Sequence, residues 1–339
     1  MRRPESLASL GEFGWLRKLL PKLYWPSSLN SQLCIGPGDD AGVVRLTSGK
    51  VLVASTDAMV EGVHFERRWF SWESLGEKIL SINLSDLAAM GKVRPLAALV
   101  SAAFPGDTPV DSVDNFYKGL KTCAQRWKTG LLGGDTVGSQ SGWFVSVTIL
   151  GEANPKDLLT RHQACPGDLI VIVGEPGQAA AGLEVLRAGK KKWAWTKPLV
   201  KAFSAPSPRF AESAILGETR WATSLMDSSD GLEASVRLLA ESSGNLGAEI
   251  ELDHLPVSRV LRRWAEYKRC AAVTYALSGG EDYGLVFTLP PGRWPALHKR
   301  IPSARVIGRM LPKGEGCWAL QGTRRTALQG YGYSHFKTA

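Results

Sequence analysis

The chain has 339 residues, 44% of them hydrophobic and 22% charged, with a net charge of +9. That balance excludes a disordered or fibrous chain, and at roughly 150 residues per domain the length suits two domains. No apolar run approaches the ~18 residues that span a bilayer. Glu5 and Glu12 interrupt the apolar core a signal peptide would need after Met1-Arg2-Arg3, so a cytoplasmic protein without membrane contact is expected.

Apolar positions over 7–20 recur at helical spacing and predict a short amphipathic helix. Val51-Leu52-Val53-Ala54 reads as a short strand that Ser55-Thr56-Asp57 closes. Residues 75–90 read as a helix, 96–103 as a buried strand and 110–128 as a long helix. Leu131-Leu132 leads into a Gly133-Gly134-Asp135 turn, and 143–150 is another strand. The polar stretch 152–157 reads as a joint, so the chain divides into 1–152 and 153–339. Beyond it come a buried strand at 169–173, a helix at 178–187 and a strand at 221–226. The last runs into Asp227-Ser228-Ser229-Asp230-Gly231. A helix follows over 232–241, which Ser229 or Asp230 could cap, and then strands at 283–289 and 304–307. The mixture predicts an α/β or α+β architecture.

The five cysteines are odd in number, widely spaced and free of any Cys-x-x-Cys pair. They suit a reducing compartment rather than a disulfide or zinc framework. No His-Glu-x-x-His, no Walker loop and no protein-kinase signature set is present. The basic excess raises nucleic acid as a partner, and Lys190-Lys191-Lys192-Trp193-Ala194-Trp195 interleaves cations with tryptophan. Charge runs are usually solvated, so a surface loop is the preferred reading.

The informative pattern is acidic. Asp39-Asp40, Asp57, Asp86, Asp135, Asp227 with Asp230, and Glu281-Asp282 recur in glycine- and serine-rich stretches beside apolar segments. Any one of them is explained by the liking of aspartate for turns and caps. As a set, converging carboxylates repel and need cations. Oxygen ligands without clustered histidine or cysteine select Mg²⁺, and Ser55 and Thr56 could add hydroxyl oxygens.

Several segments carry a family resemblance. They are Gly36-Pro37-Gly38-Asp39-Asp40-Ala41, Ser55-Thr56-Asp57, Val60-Glu61-Gly62-Val63-His64-Phe65 and Asn83-Leu84-Ser85-Asp86-Leu87-Ala88-Ala89-Met90-Gly91. Gly133-Gly134-Asp135-Thr136, Asp227-Ser228-Ser229-Asp230-Gly231 and Ser278-Gly279-Gly280-Glu281-Asp282-Tyr283 complete the set. In this order they resemble the thiamine-monophosphate kinases, within the aminoimidazole-ribonucleotide-synthetase-like (PurM-like) superfamily. The resemblance implies a two-domain PurM-like fold, dimerised through its N-terminal domain, that transfers the γ-phosphoryl group of ATP to thiamine monophosphate. It implies several Mg²⁺ ions on Asp39, Ser55, Thr56, Asp57, Asp86, Asp135 and Asp227, with Asp230 on a further ion. ATP would meet Gly134, Asp135, Arg161, Ser229 and Tyr117, and the thiamine substrate His64, Glu281 and Tyr333. The alternatives are another ATP-dependent enzyme of the same superfamily and, from a different class, a nucleic-acid-binding protein.

Overall fold

The computed structural model describes residues 31–35, 39–46, 48–189, 193–328, 330 and 332. The helix expected over 7–20, the Gly36-Pro37-Gly38 turn, Lys190-Lys191-Lys192 and Tyr333 lie outside the described residues.

The first half builds one sheet from β1 (Leu33–Ile35), β2 (Gly42–Arg45), β3 (Val51–Val60), β4 (Arg94–Pro105), β5 (Gly130–Ser139) and β6 (Phe144–Ala153). The strand order is β1-β2-β3-β6-β4-β5. Only the edge pair β4/β5 is parallel within it. Two helices, α1 (Trp72–Ala89) and α2 (Val110–Trp127), cover one face. On β6 the inward residues Val145, Val147 and Ile149 are buried while Phe144 is 41% exposed, the period-2 signature of a sheet with one covered face. Trp143 anchors that core. Its ring stacks on Trp72 at 4.2 Å and meets Phe104 edge-on at 4.4 Å.

The second half builds a seven-stranded sheet. It uses β7 (Leu169–Val173), β8 (Ser224–Ser228), β9 (Gly247–Glu251), β10 (Gly284–Leu289), β11 (Arg305–Leu311), β12 (Cys317–Gln321) and β13 (Arg324–Ala327), in the order β13-β12-β9-β11-β7-β10-β8. Its helices are α3 (Gln178–Arg187), α4 (Lys197–Ser204), α5 (Phe210–Thr219), α6 (Leu232–Ser242), α7 (Arg259–Lys268), α8 (Ala272–Ser278) and α9 (Trp294–Arg300). Unbroken Leu-Ile-Val-Ile-Val makes β7 a two-faced strand. Ile170 and Ile172 pack toward α6 and α8, and Val171 and Val173 toward α5 and α9. No helix among the described residues is long and apolar enough to cross a membrane.

Helix α1 holds the halves together. Ser71 caps it, accepting from the Ser74 amide at 3.2 Å. It lies on β3 and β6 and also touches β8 of the second sheet. It crosses α2 at two glycines: a Cβ at Gly119 would overlap the Glu73 carbonyl oxygen, and one at Gly76 the Phe116 carbonyl oxygen. Gly119→Ala is therefore expected to lower the unfolding free energy by about 1–3 kcal/mol, read from urea denaturation, while far-UV circular dichroism keeps its helical signal. An unchanged urea midpoint would contradict this close crossing.

Candidate active site

A cavity of about 640 Å³ opens where α1, β3, β8 and the loop before β10 meet. Seven carboxylates line it, against the three cations Lys78, Arg161 and Arg187. How a foldable sequence gathers them is visible on α1. Most of this helix is buried, polar residues included: Lys78, Ser81, Asn83 and Ser85 are at most 3% exposed. A polar group buried without a partner is costly, and each of these finds one. Asn83 accepts the Asp57 amide at 2.9 Å through Oδ1 and donates to the Ile79 carbonyl at 2.8 Å. Ser85 donates to Asp227 and Ser55 donates to Asp86, each at 2.6 Å. The Asn-Leu-Ser-Asp run thus turns Leu84 and Leu87 into the core and spends its polar positions aligning β3, α1 and β8.

The strand expected to end at Ala54 continues to Val60. Ser55, Thr56 and Asp57 do not close it, because each is paired in register with β6. Alternation points Ser55 and Asp57 at α1, whereas the Thr56 hydroxyl donates to the Val147 carbonyl at 3.0 Å. Thr56 lines the cleft, but its side chain is exposed on the uncovered face. Asp135 likewise sits within β5, not in a turn, whereas Asp86 lies on the expected helix. Turn-forming residue types lost to ladder pairing in the two strands. Nor do Ser229 or Asp230 cap α6, whose N-cap is Gly231 without a side-chain bond.

One oxygen each from Asp40, Asp86 and Asp227 lies within 4.8 Å of the others. Arg161 grips Asp40 in a fork, with Nε at 3.0 Å and Nη2 at 2.6 Å. Asp39 is turned aside, accepting the Arg161 amide at 3.2 Å and facing His162 Nδ1 at 3.0 Å. Asp57 has no hydrogen-bond or ion-pair partner for its carboxylate among the described residues. Burial, then the charges of Asp40 and Glu281, push its pKa up to about 6. Burial and Asp40 raise Asp227 to about 8, and burial with Asp57 and Asp227 holds Asp86 well above the carboxylate range. Burial works against the Arg161 charge, but Asp40 and Asp39 outweigh it and keep the guanidinium protonated. Three clustered carboxylates with one guanidinium form an all-oxygen donor set short of positive charge, which suits a hard divalent cation.

At the other end of the cleft Glu281 sits in the left-handed region, at φ 65°. Its amide donates to the Ser229 carbonyl at 2.5 Å, and Gly280 has no room for a Cβ, which would stand 2.7 Å from that same oxygen. Asp282 takes the Gly177 amide at 2.5 Å and the Ala179 amide at 3.0 Å, occupying the N-terminus of α3. Glu281 pairs with the buried ammonium of Lys78. His64 Nδ1 accepts the Val60 amide at 3.0 Å, so its neutral ring carries the proton on Nε2.

Of the residues singled out by sequence, Asp39, Ser55, Thr56, Asp57, His64, Asp86, Arg161, Asp227, Ser229, Asp230 and Glu281 line this one cleft. Tyr117, Gly134 and Asp135 do not. Tyr117 packs edge-on to Phe116. Asp135 pairs with Ser101 on the uncovered side of the sheet, and three strand spacings of ~4.8 Å separate β5 from β3. Sequence reasoning passed over Asp40 as a ligand, and Lys78 altogether. Lys78 had no signal of its own, since a lysine flanked along the helix by Ser74, Ser81 and Ser85 reads as solvated. Trp193 and Trp195 stack on each other at 5.6 Å, and Trp193 meets Tyr267 of α7 edge-on, so the tryptophans of the basic stretch are engaged within the chain.

A family model, AIR synthase related protein, N-terminal domain, matches residues 38–153. The thiamine-monophosphate kinase of Synechococcus elongatus is 32% identical over 98% of this chain and 98% of its own length. That of Escherichia coli (strain K12) is 34% identical over 97% and 99%. The chain belongs to the thiamine-monophosphate kinase family. Within that family, the solved structure of AaThiL complexed with AMPPCP and TMP matches with a TM-score of 0.83 at 32% identity, over 98% of this chain and 100% of that one. The mixed α/β fold is therefore PurM-like, as the resemblance implied.

The raised carboxyls make stability depend on pH. An unfolded aspartate loses its proton near pH 4, while Asp57 and Asp227 hold theirs to about 6 and about 8. Between those values the fold binds more protons than the unfolded chain, so stability falls as pH rises. In chelator, the melting temperature is expected to drop from pH 5.5 to pH 8. Millimolar Mg²⁺ should restore it more at the higher pH, and Asp227→Asn should flatten the slope. A melting temperature that climbs through this range in chelator would refute the assignment.

Proposed function

We propose that this protein transfers the γ-phosphoryl group of ATP to thiamine monophosphate, giving thiamine diphosphate, by direct in-line displacement. The observation that carries this is the convergence of Asp40, Asp86 and Asp227 in the cleft of a chain alike along its length to AaThiL complexed with AMPPCP and TMP. The residue types suit the chemistry. The acceptor is a phosphate monoester whose second pKa is about 6, so near neutrality it is already a nucleophile and needs no general base. The obstacle is repulsion between two polyanions. Bound Mg²⁺ would screen that repulsion and stabilise charge on the transferring group, which leaves positioning to the protein.

Asp86 and Asp227 are the proposed centre of the Mg²⁺ set, with Ser55, Thr56 and Asp57, and with Asp230 for a further ion; Asp135, like Gly134 and Tyr117 outside the cleft lining, is assigned by the family resemblance alone. The geometry favours Asp40 over Asp39, whose carboxylate is engaged by His162 and the Arg161 amide. Arg161, Ser229, Gly134 and Tyr117 are assigned to ATP. His64, through Nε2–H, and Glu281, a carboxylate suited to a cationic thiazolium, are assigned to the acceptor. Tyr333, outside the described residues, is assigned to the acceptor by the family resemblance alone.

A homodimer through the N-terminal half belongs to this reading. Its support is the uncovered sheet face, where Leu99, Val137 and Phe144 are 40%, 53% and 41% exposed. Beside it β5 has no partner on its outer edge among the described residues, and its bulge presents Leu132; such faces are normally covered. A monomer mass by light scattering at micromolar concentration would remove this part.

The protein should be incubated with ATP, Mg²⁺ and a panel of phosphorylated acceptors. Only thiamine monophosphate is expected to yield a diphosphate. Turnover of another acceptor in its place would assign the cleft to a different enzyme of the superfamily, and tight, salt-sensitive RNA or DNA binding without ATP turnover would favour the nucleic-acid reading. Asp57→Asn removes a carboxylate that holds no other side chain. It is expected to cut kcat by about 100-fold or more while leaving the melting temperature in chelator unchanged or higher.

A further inference from the structure

Lys78 is 1% exposed on α1. Burying an ammonium is expensive unless it is fully paired. Here Nζ donates to the Phe203 carbonyl at 2.8 Å and to the Glu281 carboxylate. It also lies 3.5 Å from the Phe203 ring centroid and 5.4 Å from that of Phe70, where aromatic faces attract a cation. Phe203 comes from α4, Glu281 from the loop before β10 and Lys78 from α1, so the ion pair joins three elements around one end of the cleft.

The backbone of Glu281 is already fixed, its amide tied to Ser229 and the next residue anchored on the start of α3. Its side chain is 27% exposed and has three rotatable bonds. Left loose, it would lose rotamer freedom on binding and weaken whatever it contacts. We infer that Lys78 is a positioning residue for the acceptor: its buried ammonium holds the Glu281 carboxylate in one rotamer facing the acceptor end of the cleft. This rests on the proposed assignment of Glu281 to the acceptor. Arg161 pairs with Asp40 and Lys78 with Glu281, so the loss on removing Lys78 is expected in acceptor binding.

The test is a double-mutant cycle on the full chain, with KM for acceptor, KM for ATP and kcat measured separately. It is run on whichever phosphorylated acceptor the wild type turns over. A wrong acceptor assignment then shows as wild-type inactivity on thiamine monophosphate, apart from the outcome for Lys78. Lys78→Met is expected to raise the acceptor KM by about tenfold or more, with the ATP KM within about twofold and kcat little changed. Glu281→Gln should do the same, and the double variant should be no worse than either single one. An unchanged acceptor KM in Lys78→Met, an equal rise in the ATP KM, or losses that multiply in the double variant would each overturn the inference. Should Lys78→Met fail to fold, the double variant, which buries no unpaired charge, is compared with Glu281→Gln. Equal acceptor KM values support the inference, and a further rise overturns it.

Discussion

Everything in this fold is arranged around burying negative charge at the seam between two sheets. Asp86 comes from a core helix, Asp57 from a central strand and Asp227 from the edge strand of the other sheet. Their mutual repulsion opposes closure of the cleft. Their places are fixed by hydroxyl and amide donors: Ser55 to Asp86 and the Asp57 amide to Asn83 within the first half, and Ser85 to Asp227 across the seam. These position the carboxylates but neutralise none of them, so the cluster keeps its demand for positive charge.

The two most buried cations of the cleft are placed so as not to satisfy that demand. Arg161 is committed to Asp40 and touches Asp39, at one margin. Lys78 is committed to Glu281, at another. Had either reached Asp57 or Asp86, the pair would have been self-sufficient and the attraction for external cations weaker. With each cation committed to its own carboxylate, Asp57 and Asp86 are left without an ion-pair partner among the described residues.

Where local sequence pattern and tertiary packing agree, the chain was legible before its structure. The continuous apolar run makes β7 at Leu169–Val173, and the small apolar residues after Gly177 make α3 at Gln178–Arg187. It was least legible at the site. Ser55-Thr56-Asp57 and Gly133-Gly134-Asp135 are composed of turn formers, yet they lie in β3 and β5. Ladder pairing overrides local preference there, and it cannot be seen in a window of ten residues. Lys78 and Asp40 escaped for a related reason. A lysine in a helix and the second of two aspartates read as solvated until the opposing Glu281 and Arg161 are in place.

The histidine shows how far side-chain geometry constrains the chemistry. A base would need a lone pair aimed into the cleft. His64 spends the Nδ1 lone pair on the Val60 amide, so the other ring nitrogen of the neutral imidazole is an N–H donor. Lys78 and Arg161 are held in ion pairs and have no lone pair to offer. The neutral hydroxyls of Ser55 and Ser85 already donate to carboxylates. The histidine, lysine, arginine and serine side chains bordering the central carboxylates are thus set to donate or to balance charge, not to take a proton. Proton acceptance in the cleft is left to carboxylates such as Asp57, and the set as a whole makes no demand for a base. It is compatible with an acceptor that arrives already ionised, as a phosphate monoester does near neutrality, and the physical chemistry of the acceptor and of the cleft meet at that point.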